Sequence, residues 1–476
     1  MNNPVFLKNN CNFGQIIRCG MTGKYYCYAI ILLSLWGCTD ELIDLESTDK
    51  SLPVIQRMND YTKKVMTSVY LWADEVRERQ INENSNPESY FNSFVFRTKD
   101  HWSYMDNSYR APSAGINGFD DRFGYDLTYA FYGNRGHLFA RICYVYPNTP
   151  AARAGLKRGD IILKNNGEWL DLYNYEAIYK ADAVNLELGT PVPIGNEQAF
   201  LQEQPGTYSL NAQKTSVSPI LAKTILRQNG RQIAYLHYTE FANDNRKSLA
   251  ELSGAIREFK DARVDEFILD LRYNRGGFLS AARHLCSLLA PLSSVRNGDV
   301  LIYKTWNKEF DSKSNREEHF DKSVASENIN LSRLYVIVSS MTASASELLI
   351  SGLRPYIPNT ILIGEKTAGK YVGSQTYRPD DNELNGYALH PIVFAYQNAL
   401  HESVEGGMLP DYQITEDPFH PGTLGDPEEP LLKATLALIA GRTDQFLPQS
   451  RSAYPSPERF TPVSTEMRSL LINDLE

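Results

Sequence analysis

The sequence predicts a multidomain α/β protein: a small helical N-terminal unit, a β-rich domain, and an α/β domain built on a mixed sheet. Three observations predict it. Apolar residues recur three and four apart in residues 54–78 (VIQRMNDYTKKVMTSVYLWADEVRE), the spacing of one helix face. From about residue 112 the texture changes to short apolar runs punctuated by Gly and Pro, which reads as strands. Between 217 and 442, strand-like and helix-like segments alternate, the order expected of a largely parallel or mixed sheet. A chain of 476 residues has room for all three units.

Taken in order, the helical unit occupies 51–111, with a loop at 81–89 (INENSNPES) and a second helical piece at 90–105 (YFNSFVFRTKDHWSYM). Its scattered aromatics read as core, and no chemistry is visible there. The β-rich domain occupies 112–213. Within it a strand ends at Pro147, a short helix carries Ala151, Ala152 and Ala154, and Gly155 ends that helix. Gly159 and Asp160 turn into a strand at 161–163, and Asn165, Asn166 and Gly167 form a tight turn. In the α/β domain, 217–442, strands are expected at 231–237, 266–271, 299–306, 334–340 and 360–365, with helices at 249–259, 279–290 and 344–353. The charged stretch 307–328 reads as an exposed insertion, and the polar, Pro-containing residues 443–476 as a peripheral tail.

The formal net charge is -9, from 48 basic and 57 acidic residues, so no broad basic surface is available and nucleic acid is not an expected partner. Residues 25–35 (YYCYAIILLSL) carry no charge; they are too short to span a bilayer of ~30 Å and have the length of a signal-peptide apolar region, with a short buried helix the alternative that the charged stretch after them disfavours. Met21, Thr22, Gly23 and Lys24 supply the basic stretch ahead of it, which makes Met21 the expected start and residues 1–20 an upstream extension. Residues 1–37 then form the signal and 38–50 a tether. Removing the signal takes Cys11, Cys19 and Cys27 with it; apart from Cys38 at the new N-terminus, only Cys143 and Cys286 remain, in apolar runs as small buried hydrophobes. There is no C-x-x-C or His/Cys spacing, so neither a metal nor another cofactor is expected.

Three clusters hold residues that could do chemistry. Residues 270–277 (DLRYNRGG) run from a strand into two glycines, which frees backbone N–H groups to face an anion; a plain turn would look the same. Residues 339–347 (SSMTASASE) end a strand and open a helix, where a serine hydroxyl meets free N–H groups. The same residues also fit an N-cap, with Thr342 or Ser344 capping and Glu347 closing a capping box. Residues 364–370 (GEKTAGK) place Lys370 in a turn, where it is a base only if burial lowers its pKa, and otherwise a solvated charge.

In this order and spacing, D-L-R-x-N-x-G-G, T-A-S-A-S-E and G-E-x-T-x-G-K resemble the C-terminal processing peptidases, the tail-specific branch of serine peptidases, over about 112–440. The stretch 140–170 resembles a PDZ domain, whose recurring P-A-x-x-A-G-L-x-x-G-D and N-G elements it carries. The resemblance implies a Ser/Lys dyad with Ser344 as nucleophile and Lys370 as base, Gln375 orienting the lysine, and an oxyanion hole from the N–H groups of Gly276 and Ala345. It implies that protein or peptide substrates with accessible C-terminal tails bind the PDZ domain, where the loop of Phe123, Gly124 and Tyr125 stands nearest the carboxylate-binding position. Leu35, Trp36, Gly37 and Cys38 resemble a lipobox, implying a lipid on Cys38 and an exported bacterial lipoprotein, membrane-anchored and facing the periplasm or the cell surface. Asp40 and Glu41 resemble the surface-export signals of some lipoproteins. A Ser/His/Asp hydrolase is disfavoured, since there is no G-x-S-x-G elbow and none of the eight histidines sits in a motif. The rival reading is a catalytically inactive, lipid-anchored peptide-binding protein, against which the presence of both Ser344 and Lys370 argues.

Overall fold

The computed structural model describes residues 49–107, 123–132, 136–194, 198–242, 246–311, 314, 316–417, 419–442, 459–460 and 471–472. Met21, Cys38 and the apolar run between them lie outside the described residues.

The α/β domain is organised by one sheet in the order Tyr412–Gln413, Thr360–Gly364, Leu334–Val338, Glu266–Asp270, Arg231–Tyr238, Ile220–Gln228. The pairs are parallel until the last, which is antiparallel, so the sheet is mixed. Its central strands Glu266–Asp270 and Leu334–Val338 are buried on both faces, which is why they read as unbroken apolar runs. Ala234, Leu236, Phe267, Leu269, Val336 and Val338 enter one core with the helices Leu279–Leu289 and Ala345–Leu353. The alternate residues Ile233, Tyr235, Ile268, Tyr335 and Ile337 pack on the other side against Leu431, Leu432 and Leu436 of the helix Pro430–Ile439. Cys143 and Cys286 are both buried and free.

The N-terminal unit is helical at Val54–Ser68, Ala73–Val76 and Pro87–Phe94, the last capped by Asn86, whose side chain accepts from Glu88 N–H. The helix expected through residue 105 stops at Phe94. Asp100 turns the chain instead, its Oδ1 accepting from the N–H groups of Trp102 and Ser103 at 2.9 and 2.8 Å. Tyr104–Asp106 is then a strand, antiparallel to Ala388–His390. Met58, Tyr61, Val65, Phe91 and Phe94 share a single core with Phe241, Leu285 and Val393 of the α/β domain. The stretch 307–328 is likewise no simple exposed insertion. Glu317–His319 pairs with Val300–Trp306, Phe320 and Val324 are buried, and buried Asn307 donates to the carbonyls of Ser68 and Tyr70.

In the β-rich domain, Tyr125–Tyr132, His137–Val145, Ile161–Asn165, Ala183–Ile194 and Gln198–Glu203 pair antiparallel in that succession. The short helix is Pro150–Arg153, ended by Gly155 at φ +84°. Asn166 and Gly167, both at positive φ, turn the chain into Glu168–Trp169, as an Asn-Gly hairpin requires. The domain has its own core, including Leu127, Ile142, Ala151, Ile162, Ile178 and Leu186. The C-terminal residues are not merely peripheral. Arg459–Phe460 pairs with Tyr125–Tyr132, and Leu471–Ile472 enters a second sheet between Gly277–Phe278 and Val372–Ser374.

Charge joins the β-rich and α/β domains. Glu416 accepts from Arg141 at 2.8 Å, from Arg158, from Arg272 at 3.1 Å and from the Tyr273 hydroxyl. Burial would raise the Glu416 pKa, but the three guanidinium groups hold it well below the usual carboxylate range. Arg272 is fully buried and also pairs with Asp270 and Glu429 at 2.8 and 2.6 Å. Removing the Glu416 charge leaves buried guanidinium groups undercompensated. Glu416→Gln is therefore expected to lower stability by about 3 kcal/mol, read as a shifted urea midpoint; an unchanged midpoint would refute the keystone role.

Candidate active site

The strand Leu334–Val338 leads into a loop folded onto the strand beside it. The Thr342 hydroxyl donates to Leu271 O at 2.8 Å and accepts from Ser339 N–H at 2.9 Å, so Thr342 braces this loop and does not cap the helix. Ser344 holds the cap position of the helix Ala345–Leu353, at φ 60° and ψ -114°, a backbone state that an L-residue keeps only when its neighbours impose it. Leu348 N–H donates to its carbonyl at 2.7 Å, and Ala343 N–H to Asn274 O at 3.1 Å. The Ser344 hydroxyl is buried and has no hydrogen-bond partner among the described residues.

Gly276 faces this serine at close range. A Cβ on it would lie 2.8 Å from Ser344 Cβ and 3.0 Å from Ala345 N, and its φ is +110°. Only glycine fits there. The Gly276 N–H, however, is not a free oxyanion donor in this structure: the Asn274 side chain folds back two residues and accepts it at 2.9 Å. Ala345 N–H stands in the first position of the helix, where no intrahelical carbonyl can receive it. Asp270 and Arg272 of the same motif form the buried ion-pair network and do not line an anion site.

Lys370 follows Gly369, whose φ of +88° brings the chain against residue 407, where a Cβ would stand 2.5 Å from Gly407 N. Met408 holds this turn from outside, accepting from Thr367 N–H at 3.1 Å and donating to Thr367 Oγ1 at 2.8 Å. The turn meets the serine loop at one carboxylate. Glu347 Oε2 accepts from both Ser344 N–H and Lys370 N–H, at 2.9 and 2.8 Å. Its Oε1 accepts from Gly369 N–H at 2.7 Å and from the Thr367 hydroxyl at 2.5 Å. The Tyr396 hydroxyl bridges the carbonyls of Ser344 and Lys370, at 3.2 and 3.0 Å. Residues 344 and 370 are thereby tied together through both backbone polar groups.

Lys370 is 2% exposed, and burial pushes its pKa down to about 7, against the opposing pull of Asp100 and Glu347. Burial raises the Glu347 pKa while its four donors act the other way. Asp100 is a residue the sequence reading missed. It comes from the helical unit, is fully buried, and accepts from the Tyr70 hydroxyl at 2.7 Å. Glu347 was legible only as a capping residue. Gln375 lies beyond the strand Val372–Ser374, its backbone N–H donating to Pro391 O at 3.3 Å. Phe123 and Tyr125 are buried in the β-rich core, with rings stacked at 5.7 Å, and Gly124 is pressed against Thr149. Asp126, next in the chain, pairs with Arg275 at 2.9 Å, which connects this loop to the residue before Gly276. Among the described residues no group of three or more His, Cys, Asp or Glu could hold a metal.

The β-rich domain is thus joined by charge to an α/β domain in which a loop and a turn bring a buried serine and a buried lysine to one carboxylate. Three family models match it in chain order: the peptidase S41 N-terminal domain at 57–104, a PDZ domain at 141–178, and peptidase family S41 at 232–414. Residues 232–414 are thus similar to peptidase family S41, with a segment similar to that family's N-terminal domain ahead of them in the chain. A carboxyl-terminal-processing protease of Synechocystis is 27% identical over 297 residues, covering 62% of this chain and 63% of that one. A chloroplastic carboxyl-terminal-processing peptidase of Arabidopsis thaliana is 29% identical over 291 residues, 59% of this chain and 51% of that one. The chain thus spans between half and two thirds of the length of these curated relatives. Among solved structures, one assigned as an S41 protease from Bacteroides fragilis is 27% identical with a TM-score of 0.67, covering 81% of this chain and 98% of that one. The photosystem II D1 C-terminal processing protease shares the fold, at 20% identity and a TM-score of 0.50, over 79% of this chain and 96% of that one.

Glu347→Gln would set an amide NH2 against backbone donors that now meet a carboxylate oxygen. It is expected to slow labelling of Ser344 by a fluorophosphonate probe on the order of 100-fold, with the circular dichroism spectrum retained. Labelling at the parent rate would show that the carboxylate does not set the site.

Proposed function

We propose that this chain is a serine endopeptidase of the C-terminal processing type, cleaving unstructured protein or peptide substrates with Ser344 as nucleophile and Lys370 as base. The observation that carries this reading is the shared Glu347 oxygen, which holds the backbones of both residues beside an unpartnered buried hydroxyl. Neutral Lys370 takes the Ser344 proton as Oγ attacks the scissile carbonyl. Ala345 N–H faces the developing oxyanion, whereas Gly276 N–H is engaged by the Asn274 side chain and would serve as a second donor only once that bond is exchanged for the oxyanion. The protonated lysine then gives its proton to the leaving amine, and water hydrolyses the acyl-enzyme. The PDZ domain would hold a substrate tail by strand addition, and the Asp126–Arg275 pair gives it a route to the catalytic turn.

The sequence pattern at Cys38 supports export as a lipid-anchored protein facing the periplasm or cell surface, and Gln375 remains the family's candidate for orienting the lysine. Among the described residues no helix is long and apolar enough to cross a membrane.

Ser344→Ala and Lys370→Ala should each abolish cleavage of an unstructured protein; cleavage that survives both substitutions sinks the dyad. Because burial favours the neutral amine, the active base forms as pH rises. In the parent enzyme kcat/KM should climb with pH to a plateau, with its midpoint near the Lys370 value of about 7. A flat profile between pH 5 and 9 would argue for another base.

A further inference from the structure

Two strand edges beside the site are covered by the C-terminal segment of the same chain. Arg459–Phe460 lies antiparallel along Tyr125–Tyr132, with Phe460 opposite Tyr129 and Arg459 opposite Ala130. The other side of that strand is taken by His137–Val145, so the segment occupies the open edge. An extended peptide added along an open strand edge is the way PDZ domains hold their ligands. Further on, Leu471–Ile472 runs parallel to Gly277–Phe278 on one side and meets Ser374 on the other. Gly277 follows the glycine packed against Ser344, and the strand Val372–Ser374 begins two positions after Lys370. Two strands flanking a third are about 10 Å apart, so the space between these two segments is a slot one extended chain wide. Its two walls are continuous in the chain with the Gly276 turn packed on Ser344 and with Lys370. The tail is polar over most of 443–476, yet its described pairings fall at Phe460 and at the apolar pair Leu471 and Ile472.

We propose that the C-terminal segment of this chain is an intramolecular ligand that fills the PDZ edge at Arg459–Phe460 and the slot beside Ser344 and Lys370 at Leu471–Ile472, so that an incoming peptide must displace it. The slot is named from the peptidase reading, on which the proposal rests, but occupancy itself needs no catalysis. Backbone pairing over so few residues is weak between separate molecules. A covalent tether raises the effective concentration to the millimolar range, where weak pairing suffices. The consequence for a substrate is competition: a higher KM with an unchanged kcat.

The test uses the full chain with each pairing removed separately, as Arg459→Pro/Phe460→Pro and as Leu471→Pro/Ile472→Pro, because proline has no N–H and cannot sit within a ladder. Hydrogen exchange is followed at residues 125–132 and 372–374, also in a Ser344→Ala background. Each variant should exchange faster in the strand it uncovers, and a synthetic peptide of residues 455–476 should restore protection. KM for an unstructured substrate should fall about tenfold with kcat unchanged. Exchange equal to the parent in both strands overturns the proposal. If no form cleaves any substrate, the peptidase reading falls and the exchange data still decide occupancy.

Discussion

The site is organised around a buried carboxylate. Glu347 receives four donors from two chain segments, the serine loop and the lysine turn, and no other group touches the backbone N–H of both Ser344 and Lys370 among the described residues. Withdrawing a carboxylate from water is unfavourable unless donors replace the lost hydration, and these donors are fixed in place by the fold. The dependence is mutual. The carboxylate holds Ser344 in a backbone state it would otherwise leave, and the turn of Gly369 and Lys370 supplies the donors that let the carboxylate stay buried.

The same economy of polar groups explains why neighbouring motif residues divide their roles. Asp270 and Arg272 satisfy each other, with Tyr235 and Glu429, beneath the sheet end. Beyond them the chain is free to present glycine to Ser344. Lys370 sits in the opposite environment, buried where desolvation makes its proton easier to lose. Asp100 and Glu347 pull against that, and burial prevails.

Much of this was legible along the chain. Strands buried on both faces announce themselves as apolar runs, and the motifs that hold Ser344 and Lys370 stand out in the sequence although they are 26 positions apart. What was not legible depends on long-range pairing. Asp100 is set among residues that read as an ordinary helix, and its influence on Lys370 exists only because the helical unit packs into the α/β core. The occupied N–H of Gly276 depends on one rotamer of Asn274. Asn307 reads as part of a solvated charged run, whereas its amide is buried against carbonyls more than 200 positions earlier. The C-terminal pairings are invisible for the same reason, since a short polar tail carries no strand periodicity of its own.

The core shared by the N-terminal helices and the α/β domain divides the molecule differently in thermodynamic terms than in chain order. Met58, Phe91 and Leu285 belong to one apolar cluster, while Leu127, Ile142 and Ile162 belong to another. Helices and mixed sheet therefore share one apolar core, and the β-rich domain, inserted between them in the chain, has its own. The two chain ends of that insertion are anchored in the same folded body, which shortens the loop the inserted domain must close as it folds and lowers its entropic cost.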